Sequence, residues 1–411
     1  MRISLIILVF LAGCAAREEH QKLAQGVWRG VISLQGQELP FNFAIQEDST
    51  GSYKAFIKNA DENLLLDEIL YDGDSLVFML HIFDAELRVK QEKDSLKGFF
   101  IKTVETDYRL PFRAAYDQSF RFTEKGEPAF DVSGKWSVNF VAPDAKVTPA
   151  VGIFRQIGDQ ITGTFLTTTG DYRYLEGAVA GDTLRMSAFD GNHAYLFKAV
   201  LKNDTLRGEY WSGKTSYKTW TGVRNTAAAL QDPESITYLK EGYKKIAFSF
   251  PDLNKKMVSP GDEKYQDKVL ILQLFGTWCP NCMDETQFLS DWRKENRDKE
   301  VNIIGLAYES KDDFDYAVRR VKKMAERFHI DYDLVIAGTK DKDEAIKTLP
   351  MLTKIAAFPT MIFIGRDGEV KKIHTGFSGP GTGVYYDEFI QYFNETVQTL
   401  LAEAPAEKKS I

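Results

Sequence analysis

The sequence predicts a multidomain chain: N-terminal tandem all-β modules followed by a C-terminal α/β domain. Three observations carry this. From about 26 to 225, short alternating segments such as 41–45, 75–80 and 108–112 are separated by turn residues, with no long helical period. The same region repeats internally. From about 245 onward, apolar strand-like runs alternate with helical patterns, the order expected of an α/β fold.

Length and composition set the frame. A chain of 411 residues exceeds one ordinary domain, and its 44% apolar and 27% charged content is that of a folded protein. A formal net charge of −7 without a basic cluster gives no reason to expect nucleic acid as a partner. Residues 1–13 read as a targeting segment. Arg2 supplies the positive start, the apolar run 3–12 is too short to span a bilayer, and Leu11-Ala12-Gly13-Cys14 resembles a bacterial lipobox. That resemblance implies acylation of Cys14 and a lipid anchor at a membrane; the alternative is a plain secretory leader. Residues 14–25 then read as a polar tether.

The β region divides into 26–125 and 126–225. Trp28 recurs as Trp136, 108 residues on (136 − 28), and Gly73-Asp74-Ser75-Leu76 recurs as Gly181-Asp182-Thr183-Leu184 at the same offset. Lys93-Asp94-Ser95-Leu96-Lys97-Gly98 recurs as Asn203-Asp204-Thr205-Leu206-Arg207-Gly208. Each module has room for roughly eight short strands, which fits a small up-and-down barrel or a sandwich. Trp28 and Trp136 are expected in the module cores, with ligand stacking as the lesser alternative. His81 and His193 stand outside any metal-ligand spacing. Residues 226–244 switch to a linker composition.

The third domain, 245–402, should open with a strand at 246–250. The unbroken apolar run 269–275 reads as a buried central strand, and it leads through Gly276-Thr277-Trp278 into Cys279-Pro280-Asn281-Cys282. Pro280 suits the first helical position, where a missing N–H costs nothing. Cys279 then sits exposed at a helix N-terminus, where free N–H groups and the helix dipole favour a thiolate, with Cys282 one turn inside. This is the arrangement of a dithiol–disulfide redox centre. The alternatives are a zinc site or inert buried cysteines. Zinc usually takes four ligands, whereas only Cys14 remains besides this pair, and His329 and His374 lie far along the chain. Beyond the motif come a strand at 301–307, a helix at about 312–328, a weaker strand at 332–337, a short helix near Glu344, a hairpin of 360–364 and 370–374 turning at Asp367-Gly368, a helix at about 385–401, and a loose tail from 403.

With Trp278-Cys279-x-x-Cys282 as its most specific motif, the region 245–402 resembles the TlpA/ResA branch of membrane-anchored thiol–disulfide oxidoreductases in the thioredoxin superfamily. The resemblance implies a thioredoxin-like fold with Cys279 as nucleophile and Cys282 as resolving thiol. It also implies a cis bond before Pro359 in Phe358-Pro359-Thr360, opposite the dithiol. Trp278, Pro280, Phe358, Pro359 and Thr360 are then the expected surroundings of the docked substrate, with Trp278 shielding the disulfide and Phe358 tuning which partners dock. Glu285, three residues past Cys282 on the face of Leu289 and Trp292, matches a glutamate that the branch associates with proton transfer; the plainer reading is an acid favouring the helix dipole. Thioredoxin itself has an aspartate where this chain has Gln273. No metal and no cofactor beyond the Cys279–Cys282 disulfide is expected. Partners should be protein thiols or disulfides and an upstream redox donor at a membrane, with the cell envelope as location. The β modules are expected to position the redox domain and dock a partner. The rival function is an envelope binding protein whose β modules do the work while the redox domain senses. The stretch 376–383 reads as a connection, or as a rim near the dithiol.

Overall fold

The computed structural model describes residues 22–66, 68–123 and 126–403; of His81 only the backbone is described. The leader, Cys14, most of the tether, Lys125 of the inter-module loop and the tail beyond 403 lie outside these residues.

Both β modules are antiparallel meanders of nine strands, one more than the sequence suggested. In the first, Gly26–Leu34 pairs with both Gln37–Glu47 and Arg109–Tyr116, so the sheet curls back on itself. Its two edge strands, Glu62–Leu65 and Glu68–Asp72, are not hydrogen-bonded to one another, and the ring stays open there. In the second module the ring closes, because Val147–Ile157 pairs with Gly134–Val141 on one side and Gln160–Thr167 on the other. A closed antiparallel sheet of this size has an interior just wide enough for side chains. Trp136, Phe140, Phe165, Phe197 and Trp220 fill it. The short strand Gly170–Asp171 doubles back on Gln160–Thr167 and projects from the barrel.

The repeat seen in the sequence is a repeat of structure. Trp28 and Trp136 are fully buried, and each indole N–H donates to the carbonyl four residues before it, Ala24 at 3.0 Å and Val132 at 2.9 Å. A buried indole N–H needs such a partner, and both modules supply it identically. Gly73 and Gly181 both adopt a left-handed conformation in their turns (φ 59° and 58°), which glycine enters without steric cost.

The third domain has a five-stranded sheet in the order Asp333–Thr339, Val301–Glu309, Val269–Phe275, Thr360–Ile364, Val370–Thr375. The first two pairings are parallel and the last two antiparallel. Every residue of the central strand Val269–Phe275 is buried, as a strand covered on both faces requires. Val269 and Ile271 face Leu289, Trp292, Phe389 and Phe393 from the helices Pro280–Glu295 and Val384–Ala402. Leu270, Leu272 and Leu274 face the opposite layer with Val321, Met324 and Phe328 of the helix Phe314–Phe328. A helix Lys342–Thr348 completes the set. The strand expected at 246–250 shrinks to Phe250–Pro251, paired with Met257–Val258. Ile246 and Phe248 are buried as anchors, so their alternation reflects side-chain burial without a ladder, and Pro251 brings no N–H to extend one.

The three parts are packed together. Phe41 of the first module packs with its ring tilted against Phe189 of the second, centroids 4.6 Å apart, and the buried Arg121 donates to Ser187 O and pairs with Glu176 at 2.9 Å. Asp84 of the first module accepts from Tyr316 Oη at 2.7 Å and is ion-paired with the buried Arg320, both on Phe314–Phe328. Among the described residues, no helix is long and apolar enough to cross a membrane.

Candidate redox site

The central strand delivers its C-terminal end to the start of the helix Pro280–Glu295, and the cysteines lie at that junction. Cys279 is the N-cap residue, in extended conformation, and Pro280 is the first helical residue. Cys279 and Cys282 are joined as a disulfide with Cα atoms 5.2 Å apart. The Cys282 backbone N–H donates to Cys279 Sγ at 3.2 Å. A helix terminus of this kind stabilises charge on the first sulfur when the pair is reduced. On the other side, Cys279 Sγ lies 3.5 Å from the Phe358 carbonyl oxygen, within reach of a reduced thiol's proton. The Phe358–Pro359 peptide is cis.

The expected surroundings divide into those that meet the dithiol and those that support it. Trp278 is half-buried, donates its indole N–H to Tyr308 O at 2.8 Å, and meets the Phe358 ring edge-on at 5.8 Å. Phe358 itself is turned inward, 7% exposed against Tyr308 and Trp278. Its side chain therefore packs against Trp278 and Tyr308 and turns little of its surface to solvent. Thr360 is fully buried, with its hydroxyl bonded to Ala357 O at 2.9 Å.

Glu285 lies beyond the first helical turn and is fully buried. Its Oε2 accepts from the Gln273 amide at 2.9 Å, while Oε1 has no partner. Burial pushes this carboxyl up to about 8, and the single amide bond only partly offsets the push. Gln273, which cannot titrate, is thus the group that holds the titrating one. A second buried carboxyl flanks the site. Glu309, at the end of Val301–Glu309, accepts from Thr277 N–H at 2.9 Å and Thr277 Oγ1 at 2.8 Å, fixing the residue that precedes Trp278. Burial raises it too, against those two bonds and the Arg320 charge. Nothing in the local pattern of an apolar strand marks Glu309 as a site residue.

Cys279 departs from its expected exposure: it is only 6% exposed. The second β module flanks it through the neighbouring residues. Asn192 Nδ2 donates to Trp278 O at 2.8 Å, Arg173 Nη1 donates to Pro280 O at 3.2 Å, and Asn281 Nδ2 donates to Asp171 O at 3.4 Å. Arg173 is also ion-paired with Asp284 of the redox helix and with Glu62 of the first module. Burial among these acids pushes the Asp284 carboxyl up to about 7, although Arg173 opposes the shift. The stretch 376–383 belongs to the same contact, since Gly379 N–H donates to Asp171 Oδ2 at 2.8 Å. His374 sits on the sheet's edge strand against Phe389 and Tyr392, and His193 pairs with Asp190 at 3.1 Å. Among the described residues no group of three or more His, Cys, Asp or Glu could hold a metal ion.

Residues 240–387 match the family described as Redoxin. The C-terminal part of this chain is a redoxin domain. Curated relatives named thiol-disulfide oxidoreductase ResA match the same part. That of Oceanobacillus iheyensis is 24% identical over 139 residues, 32% of this chain and 66% of the relative. That of Bacillus thuringiensis subsp. konkukian is 31% identical over 124 residues, 30% of this chain and 62% of the relative. The chain thus spans less than two thirds of the length of these relatives. Among solved structures, a thioredoxin-family thiol:disulfide interchange protein from Chlorobium tepidum TLS is 20% identical, with a TM-score of 0.30, covering 40% of this chain and 99% of its own. The C-terminal domain of a putative thiol-disulfide oxidoreductase from Bacteroides thetaiotaomicron is 15% identical, with a TM-score of 0.31, covering 40% and 98%.

Proposed function

We propose that this chain is a thiol–disulfide oxidoreductase that reduces disulfides of exported proteins. The observation that carries the proposal is the Cys279–Cys282 disulfide at a helix mouth, with the Cys282 N–H directed at Cys279 Sγ. In the reduced form the Cys279 thiolate attacks a substrate disulfide, forming one S–S bond and expelling one substrate thiolate. Cys282, once deprotonated, attacks the Cys279 sulfur and releases the second thiolate. Two electrons pass to the substrate, and the internal disulfide closes. Glu285, whose raised carboxyl exchanges protons near neutral pH, is suited to accept the Cys282 proton.

The reduced chain should carry two reactive thiols and consume them against a model protein disulfide. Cys279→Ser should abolish turnover, and Cys282→Ser should accumulate mixed disulfides; full activity in Cys279→Ser would sink the proposal. Equilibration with glutathione should give a potential below about −200 mV, whereas one near about −120 mV would reverse the direction.

The chain is further proposed to be lipid-anchored through Cys14 at the cell envelope and supplied with electrons by a membrane-bound donor. The lipobox-like Leu11-Ala12-Gly13-Cys14 supports this. Cys14→Ser should then move the protein from the membrane to the soluble fraction; unchanged membrane retention would argue against the anchor.

A further inference from the structure

The contacts of the second β module with the dithiol fall on both of its sides. Asn192 holds the carbonyl of Trp278, the residue before Cys279. Arg173 and Asp171 hold Pro280 and Asn281, the two residues between the cysteines. The Asp171 carboxylate spans to Gly379, past the strand that follows the cis-proline. The turn has almost no slack. A Cβ on Gly170 would lie 2.5 Å from Asn281 Nδ2, and one on Gly376 would lie 3.0 Å from Thr168 O. The turn is also anchored from behind: the 7%-exposed Arg173 ties it to Glu62 and Asp284. The Arg173 backbone N–H donates to Asp171 Oδ1 at 2.6 Å.

We propose that the 168–173 turn and Asn192 are the specificity-determining elements of the redox centre, limiting Cys279 to disulfides carried on extended, narrow polypeptide segments. A flat folded surface has little access to Cys279, which is 6% exposed and whose neighbours Trp278, Pro280 and Asn281 are held by the second module, because attack needs an unobstructed line to the substrate sulfur. An extended chain without bulky neighbours needs only a slot. The inference rests on the redox reading above and names the substrate class for it.

The test starts from full-length protein reduced with dithiothreitol and freed of reductant. Its single-turnover oxidation is followed with two probes: a disulfide-linked dimer of an unstructured peptide, and a dimer of a folded domain linked through a cysteine on a flat face. Each rate is divided by that of free dithiothreitol with the same probe, which removes the disulfide's own reactivity. The unstructured probe should react at least about tenfold faster, equivalent to about 1.4 kcal/mol in barrier. Asn192→Ala and Arg173→Ala should shrink that ratio by accelerating the folded probe. Arg173→Ala strands two buried carboxyls, so if it does not fold, Asn192→Ala decides. A wild-type ratio near one, or a ratio unmoved by every variant that folds, overturns the proposal. No reaction with either probe would overturn the redox reading itself, and the specificity assignment with it.

Discussion

The two β modules share one architecture but meet the redox domain differently. They share the buried tryptophan with its identical backbone bond and the left-handed glycine turn, 108 residues apart (136 − 28 and 181 − 73). They differ where they meet the redox domain. The first is an open ring that grips the helix Phe314–Phe328 through Asp84. The second is a closed barrel whose projecting turn contacts Asn281, between the two cysteines. The core frame is held by packing that any change would damage, whereas turns tolerate change and can be turned to function. A duplicated module can therefore gain a role at its rim while its interior stays fixed.

The sharpest way to break this comparison is through the matched tryptophans. Trp28→Ala and Trp136→Ala should each cost about 3–5 kcal/mol, as large-to-small core changes do, read by denaturant unfolding. Trp136→Ala should in addition speed alkylation of reduced Cys279, since it loosens the barrel that carries the turn at Asn281. Trp28→Ala should leave alkylation near wild type. Equal acceleration in both would mean that the modules limit access alike.

A smaller effect distinguishes interface from interior. The buried arginines between domains face carboxylates, but Glu285 inside the redox domain faces only the Gln273 amide. Its carboxyl rises from 4.5 to about 8 on folding, so the folded chain keeps a proton that the unfolded chain releases. Stability should accordingly fall as pH rises between these values and level off above them. Between about pH 5 and about pH 7 the loss should be on the order of 3 kcal/mol. Glu285→Gln should flatten that part of the profile and shift the pH dependence of thiol reactivity. An unchanged profile would leave Glu285 without a role in proton transfer.

The sequence made the local features legible and hid the distant ones. Cys279, Pro280 and Cys282 announce a helix mouth because strand, turn and helix are contiguous, and the run 269–275 reads as a central strand because every position is apolar. Phe358-Pro359-Thr360 was reachable only through the family resemblance. The segment 246–250 misled because burial of Ile246 and Phe248 mimics the alternation of a strand. Arg173, Asp171 and Asn192 left no signal at all: Arg173 is 111 residues from Asp284 and sits among ordinary turn residues. The same separation concealed that Cys279 would be flanked by the second module.

Arg173 also bears on how the chain holds together as a whole. One guanidinium rooted in the second module is the partner of a carboxylate in the first and of another on the redox helix. Removing the second module would leave both carboxylates without that guanidinium, whereas removing either of the other two units leaves Arg173 one partner. The second module is therefore the unit on which this three-way joint depends. Excising the redox domain alone would change the charge balance of the helix Pro280–Glu295. It would leave a helix with Asp284 deprived of its counter-ion beside the very cysteines that the helix presents.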